Sequence, residues 1–84
     1  MIKMASAKQT LKTFFEEKNL PYQMFEIDSA DGVHIIDNET VIDIIVNQAS
    51  AHEQKGILDM IVRIDFVNGN VNDYLKHLAT GLVS

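Results

Sequence analysis

The spacing of apolar positions changes period twice along the chain. It is helical at first: Met4, Ala7, Leu11, Phe14 and Phe15 recur on one arc, and Lys8, Thr13, Glu16 and Glu17 fall outside it. This predicts a helix from about Ala5 to Lys18, with Ser6 and Gln9 spaced as a capping box. Asn19 suits a left-handed end position and Pro21 forbids continuation. The period then drops to two. Over Tyr22 to Asp28, Phe25 and Ile27 lie on one side, Met24 and Glu26 on the other. Ser29-Ala30-Asp31-Gly32 reads as a turn and Val33 to Ile36 as the returning strand.

Helical spacing resumes after Asp37 or Asn38, both good N-caps, with Glu39 at the positive end of the helix dipole. Val41, Ile42, Ile44, Ile45, Val46 and Ala49 cover about half of the circumference, and Asp43 and Asn47 mark the wet side. The β-branched run would also suit a strand. The cap and the four-residue spacing of Asp43 and Asn47 favour a helix. A capping box, Ser50 with Glu53, opens the next helix. Its run from Ile57 to Val67 is apolar over most of the circumference, which predicts a central helix, about 51–67, surrounded by the other elements. Lys55, Asp59 and Arg63 are spaced to pair on its narrow polar strip. Gly56 leaves room for another backbone. Asn68-Gly69 ends the helix, with the glycine expected to supply a positive φ. A last helix follows Asn70, with Val71, Tyr74, Leu75, Leu78, Ala79 and Leu82 inward. Asn72, Asp73, Lys76, His77 and Thr80 are expected to face water, and Gly81 to fray or end the helix. The pattern predicts an α+β fold in the order α-β-β-α-α-α, a small β-hairpin packed on a helical bundle, as one domain over residues 1–84.

Composition narrows the function classes. A chain of 84 residues buries only about 60–65% of its unfolded surface. It has no cysteine, which excludes disulfides, thiolate metal sites and thiol nucleophiles. The start has one lysine and no long apolar run, and no segment approaches the length of a membrane span, so the expectation is a cytoplasmic protein with no membrane partner. The net charge of −5 is uneven. Residues 1–20 carry four lysines against two glutamates; residues 21–84 carry three cations against ten acids. Glu26, Asp28, Asp31, Asp37, Glu39 and Asp43 form an acidic stretch with no lysine or arginine among them. That field repels phosphates and argues against nucleic acid as a partner. It suits either a solvated face or a docking surface for a basic protein.

Candidate chemistry is sparse. Asp65 falls between Leu58 and Ile61 on the apolar arc, which predicts a structural buried carboxylate satisfied near the helix corner. His52-Glu53 is half of a zincin motif, but Gly56 stands where the second histidine would be. Asp73 and His77 are four apart with no third ligand. His34 with Asp28, Asp37 or Glu39 makes a weak acid–base set. Residues 28–39 fail as a calcium loop, because Ala30 and Gly32 replace oxygen ligands. The last two helices outline a helix-turn-helix, but Asn72, Asp73, Lys76 and His77 make a poor groove reader. No catalytic residue, metal or cofactor is expected.

The expected role is therefore a non-enzymatic protein–protein interaction module acting as a homodimer. Its interface is sought on Tyr22, Met24 and Val33 of the hairpin or on Val41, Ile42, Ile45 and Val46. The alternative is an acidic regulator that binds a basic protein, or mimics nucleic acid, through residues 26–43.

Overall fold

The structure is a computed structural model and describes residues 6–83. The order is α1 (Ala7–Lys18), β1 (Met24–Ser29), β2 (Gly32–Asp37), α2 (Asn38–Asn47), α3 (Ala51–Phe66) and α4 (Val71–Val83). The α+β architecture is the one the spacing predicts. Met4 of the expected first stripe lies outside the described residues. Ser6 caps α1 by accepting from the Gln9 amide, and Asn19 closes it in the left-handed region at φ 48°.

The hairpin pairs antiparallel from Met24 opposite Asp37 to Ser29 opposite Gly32. Gly32, the first residue of β2 after the turn at Ala30 and Asp31, carries a positive φ, 126°, which side chains with a Cβ rarely adopt. Phe25 and Ile27 face inward, with Ile36 and His34 directly across. The core gathers Leu11 and Phe15 of α1 and that strand pair. It also takes Val41, Ile45 and Val46 of α2, Ile61 of α3 and Val71, Leu75 and Ala79 of α4.

Three buried polar side chains tie the elements together. Asn38 takes the Gln23 amide on Oδ1 at 3.2 Å, and its Nδ2 donates to the Pro21 carbonyl at 2.8 Å and to Asn72 Oδ1 at 2.9 Å. Asn72 Nδ2 donates to the same Pro21 carbonyl at 3.2 Å. The starts of α2 and α4 and the loop into β1 thus meet at one knot. Gln54 Nε2 donates to the Val46 carbonyl at 2.8 Å, satisfying an otherwise free carbonyl near the end of α2.

Several local expectations are corrected. Asn72 was expected in water and is buried. The αL residue after α3 is Asn68, at φ 60°, not Gly69. The Asn68 amide donates to Asp65 O at 3.1 Å and the Gly69 amide to Ile64 O at 2.7 Å, a Schellman closure. Gly69 is required for space: a Cβ there would lie 2.7 Å from Ile64 Cγ2. Gly81 does not end α4, which continues to Val83.

The largest correction concerns α3. Its capping box forms, with both Ser50–Glu53 bonds at 3.1 Å, and its range is the expected one. It is not surrounded. Ile61 is its only apolar residue fully in the core, with Ile57, Leu58 and Ile64 half-buried beside it. Met60, Val62 and Phe66 are exposed, Phe66 by 86%. The molecule extends 51 × 26 × 18 Å, and a body that thin covers a helix on one side only.

Candidate functional site

The residues expected at an interface divide. Val41, Ile45 and Val46 are buried against the rest of the core and cannot present a surface to a partner. Their β-branched run fills the inside of α2, and Ile42 is half-buried beside a cleft facing α1. Tyr22, Met24 and Val33 are exposed, and Ile35, which the strand alternation also places on that side, joins them. Met24, Val33 and Ile35 share the outer face of the hairpin with Glu26 and Asp28, because inner and outer positions alternate along each strand. Among the described residues no third strand joins this sheet.

The six acids do not form one face. Glu26, Asp28 and Asp37 belong to the outer side of the hairpin, and Asp31 to its turn. Glu39 and Asp43 line a cleft of about 550 Å³ between α1 and α2, across from Lys8 and Lys12. Asp37 is occupied locally. It accepts from the Thr40 amide as the N-cap of α2 and from the Tyr22 hydroxyl at 3.0 Å. The Thr40 bonds hold the Asp37 carboxyl below its usual value, and the Asp37 carboxylate in turn raises the Tyr22 phenol.

Asp65 is not buried. Half-exposed, it pairs with Lys18 Nζ at 2.7 Å across the contact of α1 with α3. The sequence placed it on the apolar arc correctly, but α1 ends there in a lysine that reaches it. Asp59 and Arg63 enter no ion pair among the described residues, although their spacing allows one. Glu53 of the half zincin motif is a capping residue, and the Ser50 amide holds its carboxyl down. Asp73 and His77 are exposed; the His77 ring stacks beside Tyr74 at 6.4 Å. No group of three His, Asp or Glu able to hold a metal ion occurs among the described residues.

One cluster has the residue types of a nucleophilic site. In the hairpin turn, Ser29 Oγ bonds to Asp31 Oδ1, and His34 Nε2 lies 3.0 Å from that same oxygen. His34 therefore meets Asp31, not Asp28, Asp37 or Glu39. The order is wrong for activation. A serine nucleophile needs the imidazole between itself and the acid, so that the ring can take the hydroxyl proton. Here the carboxylate stands between. The Ser29 hydroxyl, then His34, hold Asp31 down to about 2, so it is a very weak base. The cluster fastens the turn, helped by Ser29 Oγ at 3.0 Å from the Gly32 carbonyl.

The remaining surface feature is the outer side of α3. Met60, Val62, Phe66 and Val67 are exposed there, and Phe66 and Val62 border a groove between α3 and α1 that Leu58, Asp59, Arg63 and Thr10 also line. Sequence spacing showed these residues as apolar but not which would stay uncovered. No family model, curated protein or solved structure matches the chain.

Proposed function

We propose that the chain is a small protein–protein interaction module without catalysis of its own, acting as a homodimer. The observation that carries this reading is where the large apolar side chains left outside the core lie. Apart from Leu82 near the end of α4, which is exposed rather than inward, those of the described residues cluster on two elements, the outer face of the hairpin (Tyr22, Met24, Val33, Ile35) and the outer face of α3 (Met60, Val62, Phe66), continuing into Val67. Clustered apolar exposure on a small domain marks contact surfaces, where scattered single residues would not. Two such surfaces fit a module that meets its own copy with one and a partner with the other.

A second reading is favoured by one feature of the hairpin. Its outer face carries Glu26 and Asp28 among the apolar residues and no lysine or arginine. Such a face suits a partner with basic side chains, held by charge as well as apolar contact. Solution mass by light scattering, at low and high salt, separates the two. A mass about twice 9.5 kDa in both salts supports the homodimer. A chain that stays monomeric in both overturns it. A complex with a basic protein that dissociates as salt screens the acids moves the conclusion to the second reading.

A further inference from the structure

We infer that two copies of this chain meet through the outer face of α3, as an antiparallel helix pair about a two-fold axis at the level of Ile61, with Asp59 of each copy opposite Arg63 of the other. The inference rests on the homodimer reading and assigns its surface, leaving the hairpin face to a partner.

Ile57, Ile61 and Ile64 point inward, so the line directly opposite runs through Gly56, Asp59, Arg63 and Phe66, with Met60 and Val62 on its flanks. Along that line Asp59 and Arg63 lie two residues either side of the level of Ile61, about 3 Å each way at the helical rise of about 1.5 Å per residue. A two-fold axis there reverses one helix on the other and places each Asp59 against the second copy's Arg63, twice over. Neither ion has a partner within 4.0 Å among the described residues, so the reciprocal pairs displace nothing. The same axis brings Phe66, five residues to one side, over Gly56, five residues to the other. Phe66 is the most exposed large apolar side chain among the described residues, and the space above Gly56 is open: a Cβ there meets nothing within 4 Å. Val62 meets its own copy across the groove beside α1, and Met60 its own copy on the other flank. An isologous contact requires one patch to be complementary to itself, and this patch is so in charge and in shape.

The hairpin lacks that property. Pairing two copies of β1 edge to edge, antiparallel about Ile27, sets Glu26 of each against Asp28 of the other, and pairing β2 near its middle brings Asp31 of the turn towards Asp37. Acids opposed in this way resist self-association, which is how edge strands are kept from pairing.

A single 16-residue helix is about 24 Å long, a footprint at the small end of protein interfaces. The dimer is therefore concentration-dependent, and sedimentation equilibrium from micromolar to millimolar protein is the measurement. The variants are D59R, R63D and the exchange D59R/R63D, with circular dichroism to confirm the fold, which these exposed positions leave intact. Each single variant sets like charges together at both contacts and is expected to weaken the dimer at least tenfold. Mixing the two single variants restores complementary pairs, so a heterodimer is expected, and the exchange variant is expected to self-associate like the native chain. A native dimer indifferent to the single substitutions, or singles that fail to recombine, overturns the α3 contact while the homodimer reading stands. A native chain monomeric throughout the range overturns both.

Discussion

At the scale of single residues, Asn38 decides more than any other side chain. It is fully buried, yet its amide is satisfied at every arm: by Gln23, by Pro21 and by Asn72. Its value lies in the asymmetry of buried hydrogen bonds, since removing one partner strands the others without water. Asn38→Ala leaves the Gln23 amide and the Asn72 carbonyl oxygen short of a partner. It is expected to cost about 2–4 kcal/mol in urea unfolding. Because Asn72 loses its contact in the same step, the double variant with Asn72→Ala is expected to cost less than the two single variants together by more than about 0.5 kcal/mol. Strict additivity would mean that the two amides act separately. Little in the sequence distinguishes this pair from surface asparagines. Each stands beside another cap: Asp37 caps α2 beside Asn38, and Asn70 accepts the Asn72 amide at 2.9 Å. The redundancy was the one available hint, for a second capping residue in a row is free to do something else. Their meeting spans 34 residues and so lay beyond local reasoning.

At the scale of elements, the legible features were those that a few neighbouring residues settle. The Ser50–Glu53 box, the Asp37 cap, the Asn19 terminus and the strand alternation are local chemistry, and each appears where the spacing put it. The α3 terminus shows the limit. Asn-Gly announced the stop, but which residue takes the positive φ depends on how the next residue packs on Ile64. The two glycines that flank the exposed stretch of α3 are accordingly expected to respond in opposite senses. Gly69→Ala drives a methyl to within 2.7 Å of Ile64 Cγ2 and 3.0 Å of its carbonyl oxygen, and is expected to destabilise by about 1–3 kcal/mol. Gly56→Ala adds a methyl to open space inside a helix and is expected to stabilise by up to about 1 kcal/mol. Thermal unfolding at dilution, where copies stay apart, reads both. A gain from Gly69→Ala would show that the corner relaxes easily and that the Schellman closure does not fix it.

At the scale of the whole molecule, the apolar run of α3 was legible and its surroundings were not. Periodicity reports which positions are apolar; whether they are covered depends on how many other elements are at hand. The four helices and one hairpin of the described residues supply α1 and α4 as cover for one side of α3, and the rest of the core lies elsewhere, between the hairpin, α2 and α4. This arrangement makes α3 the least tied in of the described helices. Its one fully buried apolar side chain is Ile61, helped by the buried Gln54 amide at its start and the half-exposed Asp65–Lys18 pair towards its end. Such an element opens below the global free energy, because few buried contacts must break to release it. Native-state hydrogen exchange is expected to find the α3 amides protected less than those around Val41, Ile45 and Leu75. Ile61→Ala is expected to lower the α3 opening energy by about 2–4 kcal/mol, the usual loss for a buried isoleucine. If α3 opens on its own, that substitution leaves the protection of α2 and α4 largely in place. If every helix loses protection by the same amount, the chain unfolds as a single unit, and the thin body is held together more tightly through Asn38, Asn72 and Gln54 than its apolar contacts imply. In a dimer paired through α3, protection of this helix rises with protein concentration while that of α2 does not, so the same experiment reads self-association without disturbing a side chain.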